Sequence, residues 1–326
     1  MAITVHRKFT MPVSHATDVP HTLHTILGAN GVIARELSKA LGARGLPLRQ
    51  VSRLPRAVYP TDERMEADLL DAAAVSRAVA GSAVVYLVAG LAYDTAVWQN
   101  QWPVVMRNVI EACQRHGARL VFFDNVYAYG WVEGTMTEAT AFNPCSKKGE
   151  VRAKVANALL DAMARRKLTA MIARSADFYG PGAANSLLSF TVFKRLQAGK
   201  APQWIGDPAR RHDFTYTPDA GRALAALALT EAAYGQTWHL PTAQDGLTGA
   251  LWARLACEKA GQPDRLRVMP NWLLTPLSWM VPALRENREM LYQLQQDYRF
   301  DSGKIQAALG LTATACADGV AATLQP

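Results

Sequence analysis

Short apolar runs alternate with amphipathic stretches through the first half of the chain. Runs rich in Val, Ile, Leu and Phe predict buried strands, and apolar positions spaced three and four residues apart predict helices. The predicted strands cover residues 22–27, 47–52, 83–88, 119–123 and 168–174, and the predicted helices cover residues 32–43, 71–79, 98–116 and 151–165. This alternation predicts a parallel sheet with helices on both faces.

The second half of the chain has a less regular pattern. It predicts helices over 187–198 and 218–229, a loop and strand over 202–211, and strands over 236–240 and 266–269. The strand at 236–240 can return to the main sheet. Thr248 can cap a helix that runs to Ala260, because its hydroxyl can accept from free N–H groups of the first turn. We therefore expect a smaller, partly discontinuous lobe beside the sheet.

The first predicted strand ends in a glycine turn that opens directly into a helix. Gly28 permits the tight turn, Gly31 lets a diphosphate approach the backbone, and Ala34 allows the helix to pack on the strand. Free N–H groups and the positive dipole end of the helix attract phosphate. The sequence thus predicts an α/β fold with a doubly wound parallel Rossmann sheet and a dinucleotide site. The residues predicted to form this site are Gly28, Asn30, Gly31, Val32 and Ile33.

These elements also predict the domain boundaries. Residues 21–180 and 218–241 are expected to form the dinucleotide-binding domain, and residues 181–217 and 242–326 the substrate lobe. Residues 1–20 are expected to form a flexible tail.

Residues after the second predicted strand indicate which dinucleotide binds. No acid is present at Val51-Ser52-Arg53, where folds that prefer NAD place a carboxylate for the ribose 2′-hydroxyl. Ser52 and Arg53, with Arg56, can instead hold a 2′-phosphate through charge-assisted hydrogen bonds. The sequence therefore favours NADP(H) over NAD(H), and the alternative is that Arg53 is an ordinary solvent-facing arginine.

Other candidate cofactor residues follow later strands. Asp68 and Leu69 are expected beside the adenine, with a helix cap by Asp68 or Asp71 as the alternative. Ala89 and Gly90 close the buried strand 83–88 with small residues. That ending suits a cofactor that crosses the strand tips, and it also suits a simple turn.

Composition narrows the set of partners. The 326 residues carry a net charge of +8, which suggests an anionic partner, but the basic residues are scattered and form no stripe interleaved with aromatics. We therefore expect a small-molecule substrate and no nucleic acid. No membrane association is expected either, because the best candidate span, 272–284, is short and interrupted by Pro276 and Pro282. Widely spaced cysteines without a CxxC pair indicate a reduced, cytoplasmic protein, and no cluster has the spacing of a metal site.

A series of motifs occurs in a characteristic order along residues 22–310. The series is Gly28-x-x-Gly31-x-x-Ala34, Val88-Ala89-Gly90, Asn108-Val-Ile-Glu-Ala, Tyr129-Gly130, Thr137-Glu138, Asn143-Pro144, Arg174 and Phe178-Tyr-Gly-Pro181. This series resembles the extended short-chain dehydrogenase/reductases, also called NAD-dependent epimerase/dehydratases. The resemblance implies a Rossmann domain that binds NAD(P), with Asp177 and Phe178 near the cofactor, and a small C-terminal substrate lobe. It also implies a homodimer through the long helices at 98–116 and 151–165.

The catalytic positions depart from the pattern of this family. The family has a Tyr and a Lys four residues apart, and a Ser or Thr before the Tyr-Gly pair. The matching residues here are Lys148, Arg152 and Asn125. A lysine needs its pKa lowered by roughly three units to act as a base near neutral pH, and Arg152 with the nicotinamide ring has the right sign for part of that shift. Asn125 can still hydrogen-bond a carbonyl, and Tyr127 and Tyr129 are alternative proton carriers, with Tyr129 better suited to a structural role.

Candidate substrate residues lie in the second predicted lobe. The resemblance implies that Arg211 contacts a substrate phosphate, and a solvated basic turn is the alternative. His212 and Asp213 cannot pair with each other, because neighbouring residues on a strand point to opposite faces. Trp204 is a candidate for an apolar substrate pocket, although core packing is the commoner outcome for such aromatics. The same two interpretations apply to Trp272, Trp279 and Met280.

Together these features predict an NADP(H)-dependent oxidoreductase or epimerase-like enzyme for a small carbonyl or hydroxyl compound, with a non-standard proton carrier. The replaced catalytic residues leave two alternatives open. One is a non-catalytic NAD(P)-binding sensor or scaffold protein. The other is a lyase or dehydratase that uses the nicotinamide only transiently.

Overall fold

A computed structural model describes residues 23–269 and 286–325 of the chain. Its strands are β1 (Leu23–Leu27), β2 (Leu48–Ser52), β3 (Glu63–Glu66), β4 (Ser82–Leu87), β5 (Arg119–Asn125), β6 (Thr135–Met136), β7 (Ala170–Ser175), β8 (Asp177–Tyr179), β9 (Gln203–Ile205), β10 (Phe214–Tyr216), β11 (Thr237–His239), β12 (Arg267–Met269) and β13 (Arg299–Phe300). Its α-helices are α1 (Val32–Gly42), α2 (Ala72–Val79), α3 (Thr95–His116), α4 (Lys147–Ala164), α5 (Lys194–Gln197), α6 (Thr217–Ala228), α7 (Gly249–Lys259), α8 (Gly303–Leu309) and α9 (Cys316–Leu324). Segments Tyr127–Tyr129, Glu231–Ala233 and Arg288–Leu294 are 3₁₀ helices, and Ser189–Phe193 is a π-helical turn.

The central element is a seven-stranded sheet with the order β11-β7-β5-β4-β1-β2-β3. Each strand pairs in parallel with its neighbours, which confirms the predicted doubly wound fold. The chain returns to this sheet at β11, beside β7, as the sequence predicted for residues 236–240. Ligands bind such sheets at the carboxyl ends of the strands, so the site is expected at that edge.

Alternating strand residues fill two hydrophobic cores, one on each face of the sheet. Leu27 and Phe122 belong to the core beneath α2, α3 and α4, whereas Ile26 and Val121 belong to the core beneath α1 and α6. This alternation follows from the two-residue period of a strand. A third hydrophobic core, around Trp252, is formed by residues that follow β7 in the chain.

Side-chain caps fix where several helices begin. Asp71, Asp94, Ser146 and Thr248 each accept from an N–H group in the first turn of α2, α3, α4 and α7. The predicted cap by Thr248 is therefore confirmed. These caps satisfy N–H groups that have no partner within the helix.

The sequence did not predict the edge strand β3. Three of its four residues, Glu63, Arg64 and Glu66, are charged and exposed. An edge strand faces water along one side, so charged residues are tolerated there and the apolar signal of a strand is lost. No helix in the described residues is long and apolar enough to cross a membrane. The predicted tail, 1–20, and the apolar segment, 272–284, lie outside the described residues.

Candidate active site

The glycine turn lies between β1 and α1, at the carboxyl edge of the sheet. Gly28 has a φ of +98°, and a Cβ there would fall on the backbone of Ala89. A side chain at Gly28 is therefore excluded both by conformation and by packing. At Gly31, φ is −73° and a Cβ would lie 3.5 Å from the Gly28 carbonyl oxygen, an ordinary contact. Packing among the described residues therefore does not require glycine at Gly31, and close approach of a ligand there stays a prediction.

The first turn of α1 is not capped by any side chain of the described residues. Helix α2, in contrast, has the side chain of Asp71 at the same place. The N–H groups of Val32 and Ile33 therefore start a helix whose positive end is open to an anion. A phosphate group fits this donor set.

Asn30 joins the glycine turn to the loop that follows β2. Its Nδ2 donates to Ser52 Oγ (3.2 Å) and to the Leu54 carbonyl oxygen (2.8 Å), and its Oδ1 accepts from the Arg56 N–H (3.2 Å). Arg53 and Arg56 are exposed on this loop. Neither guanidinium makes a hydrogen bond or ion pair with the part of the chain that the structure describes. Asn30 thus holds the loop that carries Arg53 and Arg56, with their unpaired guanidinium groups, against the glycine turn.

The remaining predicted cofactor residues lie at the ends of β3 and β4. The Asp68 carboxylate accepts from the Leu70 N–H, and Asn108 on α3 donates to the carbonyl oxygens of Leu69 and Leu70. Asp71, the alternative to Asp68, is the residue that caps α2. Ala89 packs against Gly28, and Gly90 is exposed just beyond it.

Lys148 is fully buried at the start of α4 and is held by carboxylates. Its Nζ donates to Thr95 Oγ1 (2.8 Å), to Oε2 and the carbonyl oxygen of Glu286 (2.8 and 2.9 Å), and to Glu289 Oε1 (3.1 Å). The hydrogen bond from Lys148 lowers the pKa of Glu286 to about 2. We call Lys148, Thr95, Glu286 and Glu289 the Lys148 clasp. An ammonium has three N–H donors, and all are engaged here, so this geometry argues against Lys148 as a free base.

Arg152 is paired with a buried carboxylate rather than directed at Lys148. Its Nε donates to Asp124 Oδ1 (2.9 Å), and Arg174 Nη2 donates to the other carboxylate oxygen (2.9 Å). Burial opposes ionisation of Asp124, but the two guanidinium groups outweigh it and hold its pKa below the ordinary value. Arg174 also donates to the hydroxyl of Tyr129, which bonds to His239, so Tyr129 has a structural role.

Asn125 and Tyr127 follow Asp124 at the end of β5. Asn125 Oδ1 accepts from the Tyr127 N–H, which fixes the short 3₁₀ turn. The Tyr127 ring stacks on Trp98, and the side chain of Tyr127 interacts electrostatically with that of Tyr93. Burial, and then the neighbouring Tyr93 and Asp177, raise the pKa of Tyr127 well above the ordinary value. Tyr93 is 37% exposed.

Asp177, at the start of β8, lies within electrostatic reach of several phenols. It contributes, after burial, to the raised pKa values of Tyr93, Tyr127, Tyr292 and Tyr298, which we call the tyrosine cluster. Asp177 Oδ2 lies 3.0 Å from His212 Nε2, and the Asp177 N–H donates to the Tyr298 hydroxyl (3.2 Å). Phe178, the next residue, is half-buried in β8.

The structure separates the candidate substrate residues of the second lobe. Arg211 is bound in bidentate fashion by Asp213 (2.8 and 3.0 Å), so its charge is already neutralised. His212 bonds to Asp177 and not to Asp213, in line with the strand geometry. Trp204 is buried in the third core, where it has no open face for a ligand. Trp272, Trp279 and Met280 lie outside the described residues.

Sequence reasoning missed three parts of this site. Asp124 carried one signal, a charged residue at the end of an otherwise apolar strand. Tyr93 comes from the loop before α3, and Glu286 and Glu289 come from the distant C-terminal part of the chain. No local pattern could connect these residues. Within residues 23–269 and 286–325, no three His, Cys, Asp or Glu side chains converge as a metal site would require.

Comparisons with solved structures identify the same architecture in sugar-nucleotide enzymes. The chain is similar to DesIV, a dTDP-glucose 4,6-dehydratase from Streptomyces venezuelae solved with NAD and TYD, with a TM-score of 0.77, 18% identity, and coverage of 93% of this chain and 96% of that chain. It is similar to a UDP-glucose 4-epimerase from Thermus thermophilus in complex with NAD, with a TM-score of 0.75, 18% identity, and coverage of 93% and 98%. It is also similar to a UDP-glucose 4-epimerase from Thermotoga maritima with UDP-glucose, with a TM-score of 0.75, 18% identity, and coverage of 93% and 97%. No curated protein sequence matches the chain significantly.

A family model gives the assignment. The model of the NAD dependent epimerase/dehydratase family matches residues 24–239, which is more than half of the chain. This range begins in β1 and ends in β11, so it spans the whole seven-stranded sheet. The chain therefore belongs to the NAD dependent epimerase/dehydratase family.

Proposed function

We propose that this protein is an NADP(H)-dependent oxidoreductase that acts on a small carbonyl or hydroxyl compound. The observation that carries the proposal is the uncapped first turn of α1 behind the Gly28–Gly31 turn, at the carboxyl edge of a parallel sheet. The solved neighbours bound to NAD support a nicotinamide cofactor for this fold. When bound, the reduced cofactor supplies a hydride.

The preference for NADP(H) rests on the residues behind the glycine turn. Arg53 and Arg56 are held beside it by Asn30, and their guanidinium groups have no partner among the described residues. A 2′-phosphate would give both arginines a charge-assisted partner. Ser52 adds a hydroxyl on the same loop.

Arg152 takes a positioning role in this proposal. Asp124 engages its Nε and Nη2, whereas Nη1 makes no hydrogen bond with the described residues. A guanidinium held in this way can offer its third nitrogen to a cofactor hydroxyl without changing its own charge. Asn125 lies next to Asp124 and can orient a substrate oxygen.

Tyr127 is the proposed proton carrier. Its raised pKa makes the phenol a poor base near neutral pH, but a neutral phenol can still protonate the far more basic alkoxide that forms during reduction. The Tyr127 hydroxyl would donate a hydrogen bond to the substrate carbonyl oxygen and would give that oxygen its proton during reduction. Tyr93, which interacts with Tyr127 and is 37% exposed, would return a proton. A neutral phenol is therefore suited to the role of general acid in carbonyl reduction.

The proposal is tested by incubating the purified protein with NADPH and a broad panel of aldehydes and ketones. Loss of the absorbance of the reduced nicotinamide, dependent on one class of carbonyl, is the expected result. Binding of NADPH without turnover of any compound would instead support a non-catalytic sensor. The Lys148 clasp is the observation that favours this second function, because it removes the residue at the family's tyrosine position from proton transfer.

A further inference from the structure

The substrate side of the site contains a carboxylate that the described residues leave partly unused. Asp177 Oδ2 lies within hydrogen-bond distance of His212 Nε2. Asp177 Oδ1, in contrast, accepts no hydrogen bond from residues 23–269 or 286–325. Its side chain is 22% exposed. The Tyr298 hydroxyl accepts from the Asp177 N–H (3.2 Å), and the other phenols of the tyrosine cluster lie within electrostatic reach.

Four cations of the candidate site are already paired. Lys148 is held by Glu286 and Glu289, and Arg211 is held by Asp213. Arg152 and Arg174 share the Asp124 carboxylate, so this buried group keeps one net positive charge. The three side chains are buried. Among the described residues, the side chains that form hydrogen bonds with Asp177 are the His212 imidazole and the Tyr298 hydroxyl, and neither is a lysine or an arginine.

One hydroxyl of the cluster lacks a hydrogen-bond partner of ordinary length. The buried Tyr292 hydroxyl makes no such bond within the described residues and interacts with the Cys145 thiol. Burial, together with Cys145 and Asp177, raises its pKa, so it remains a neutral O–H group. A buried polar group without a partner is costly, and a ligand that supplies an acceptor or donor would relieve that cost.

We propose that the substrate of this site carries a protonated amine, which Asp177 binds, and carries no phosphate. The inference rests on the proposed function, since it names the substrate class of the same site. A phosphate brought beside Asp177 would meet a like charge in a partly buried environment, and Lys148 and Arg211 are already paired with carboxylates. An ammonium would pair with Oδ1. Amino ketones combine this ammonium with the carbonyl oxygen that Tyr127 would protonate, and amino alcohols are the products.

Matched ligands separate this class from the sugar nucleotides bound by the solved neighbours. Small molecules are prepared in three series, with a primary amine, a hydroxyl or a phosphate monoester at one position of the same carbon skeletons. UDP-glucose is added as the diphosphate probe. Binding is measured by ligand-observed NMR, with and without saturating NADPH, and NADPH affinity is measured on the same samples by fluorescence.

The amines are expected to bind about tenfold more tightly than their hydroxyl partners, the difference between a charge-assisted and a neutral hydrogen bond. Asp177→Asn should remove this preference, whereas Asp207→Asn, a matched charge loss on an exposed turn, should preserve it. If Asp177→Asn does not fold, binding to the unaltered protein is measured at several salt concentrations. Among the three series, only amine binding should weaken as ionic strength rises.

Several results would overturn the inference. These are tighter binding of phosphates or UDP-glucose than of amines, equal binding of amines and hydroxyls, survival of the preference in Asp177→Asn, and no binding in any series. Failure of NADPH to bind would instead reject the proposed function. The two failures are thus read from different signals of the same samples.

Discussion

The ammonium of Lys148 lies 2.8 Å from Oε2 of Glu286, although 138 residues separate the two along the chain. The bond joins the start of α4 to a segment that also accepts from the Thr95 hydroxyl of α3. Lys148, which the resemblance places at the family's tyrosine position, therefore holds three parts of the candidate site together.

Lys148→Met is expected to lower the free energy of unfolding and to change the affinity for the cofactor little. The substitution leaves two carboxylates without a cation, and a cost of about 2–4 kcal/mol is typical when one partner of a largely buried ion pair is removed. Urea unfolding at neutral pH measures it. Lys154→Met, an exposed position on the same helix, serves as the control. Unchanged stability with complete loss of turnover would return Lys148 to the role of proton carrier.

Tyr127→Phe is expected to lower kcat by about 10²–10³, in the range of a lost general acid, while KM and NADPH affinity change little. Tyr93→Phe should have a smaller effect, because water can replace a group that is 37% exposed. Steady-state kinetics on the best carbonyl substrate measures both. A larger loss for Tyr93→Phe than for Tyr127→Phe would reverse their assigned roles.

Arg53→Ala is expected to weaken NADPH binding by about tenfold and to leave NADH binding nearly unchanged, since one charge-assisted hydrogen bond to the 2′-phosphate is removed. Arg56→Ala should act in the same direction. Arg77→Ala, on α2, is a control for general loss of positive charge. No effect on either cofactor would show that Arg53 faces solvent only, and equal weakening of both would contradict a contact with the 2′-phosphate.

Stability is expected to fall as pH drops below about 6.5. Burial lowers the pKa of His24 to about 4 and that of His239 to about 3, so the folded protein keeps both neutral while the unfolded chain protonates them. The stability that each neutral histidine contributes is fully present above its pKa in the unfolded chain. This stability is lost as the pH falls towards the pKa of the histidine in the folded protein. By pH 5 the loss is about 2 kcal/mol for each group.

Urea unfolding at pH 7 and pH 5 tests this linkage. His24→Gln should remove part of the pH dependence even if it lowers stability at both values. A slope that His24→Gln and His239→Gln leave unaltered would assign the acid sensitivity to other groups.

The fold was predictable because its main strands are buried. Parallel strands covered on both faces consist of apolar runs such as those around Ile26 and Phe122, and these runs are visible without any structure. The sequence did not predict edge strand β3, because charged residues take the place of the apolar run that marks a buried strand. Strands such as β6 and β13 have two residues each and carry no periodicity at all.

Motif analysis could name candidate residues only where strand topology fixes their place, and the roles of these residues stay predictions. Gly28 lies directly after β1, Gly31 opens α1, and Asn125 ends β5. The partners that decide the role of Lys148 come from segments far apart in sequence, and their proximity depends on tertiary packing. Motif analysis could therefore not predict the Lys148 clasp.

The central claim, that a cofactor diphosphate lies against the start of α1, is tested by one pair of variants. Titration of NADPH by fluorescence is combined with a thermal melt for Gly31→Ala and Gly28→Ala. The account predicts that Gly31→Ala keeps the melting temperature of the parent protein, because its Cβ meets only ordinary contacts, but binds NADPH at least about tenfold more weakly. Gly28→Ala should instead lose stability. Unchanged NADPH affinity in a folded Gly31→Ala protein, or no NADPH binding by the parent, would contradict the account.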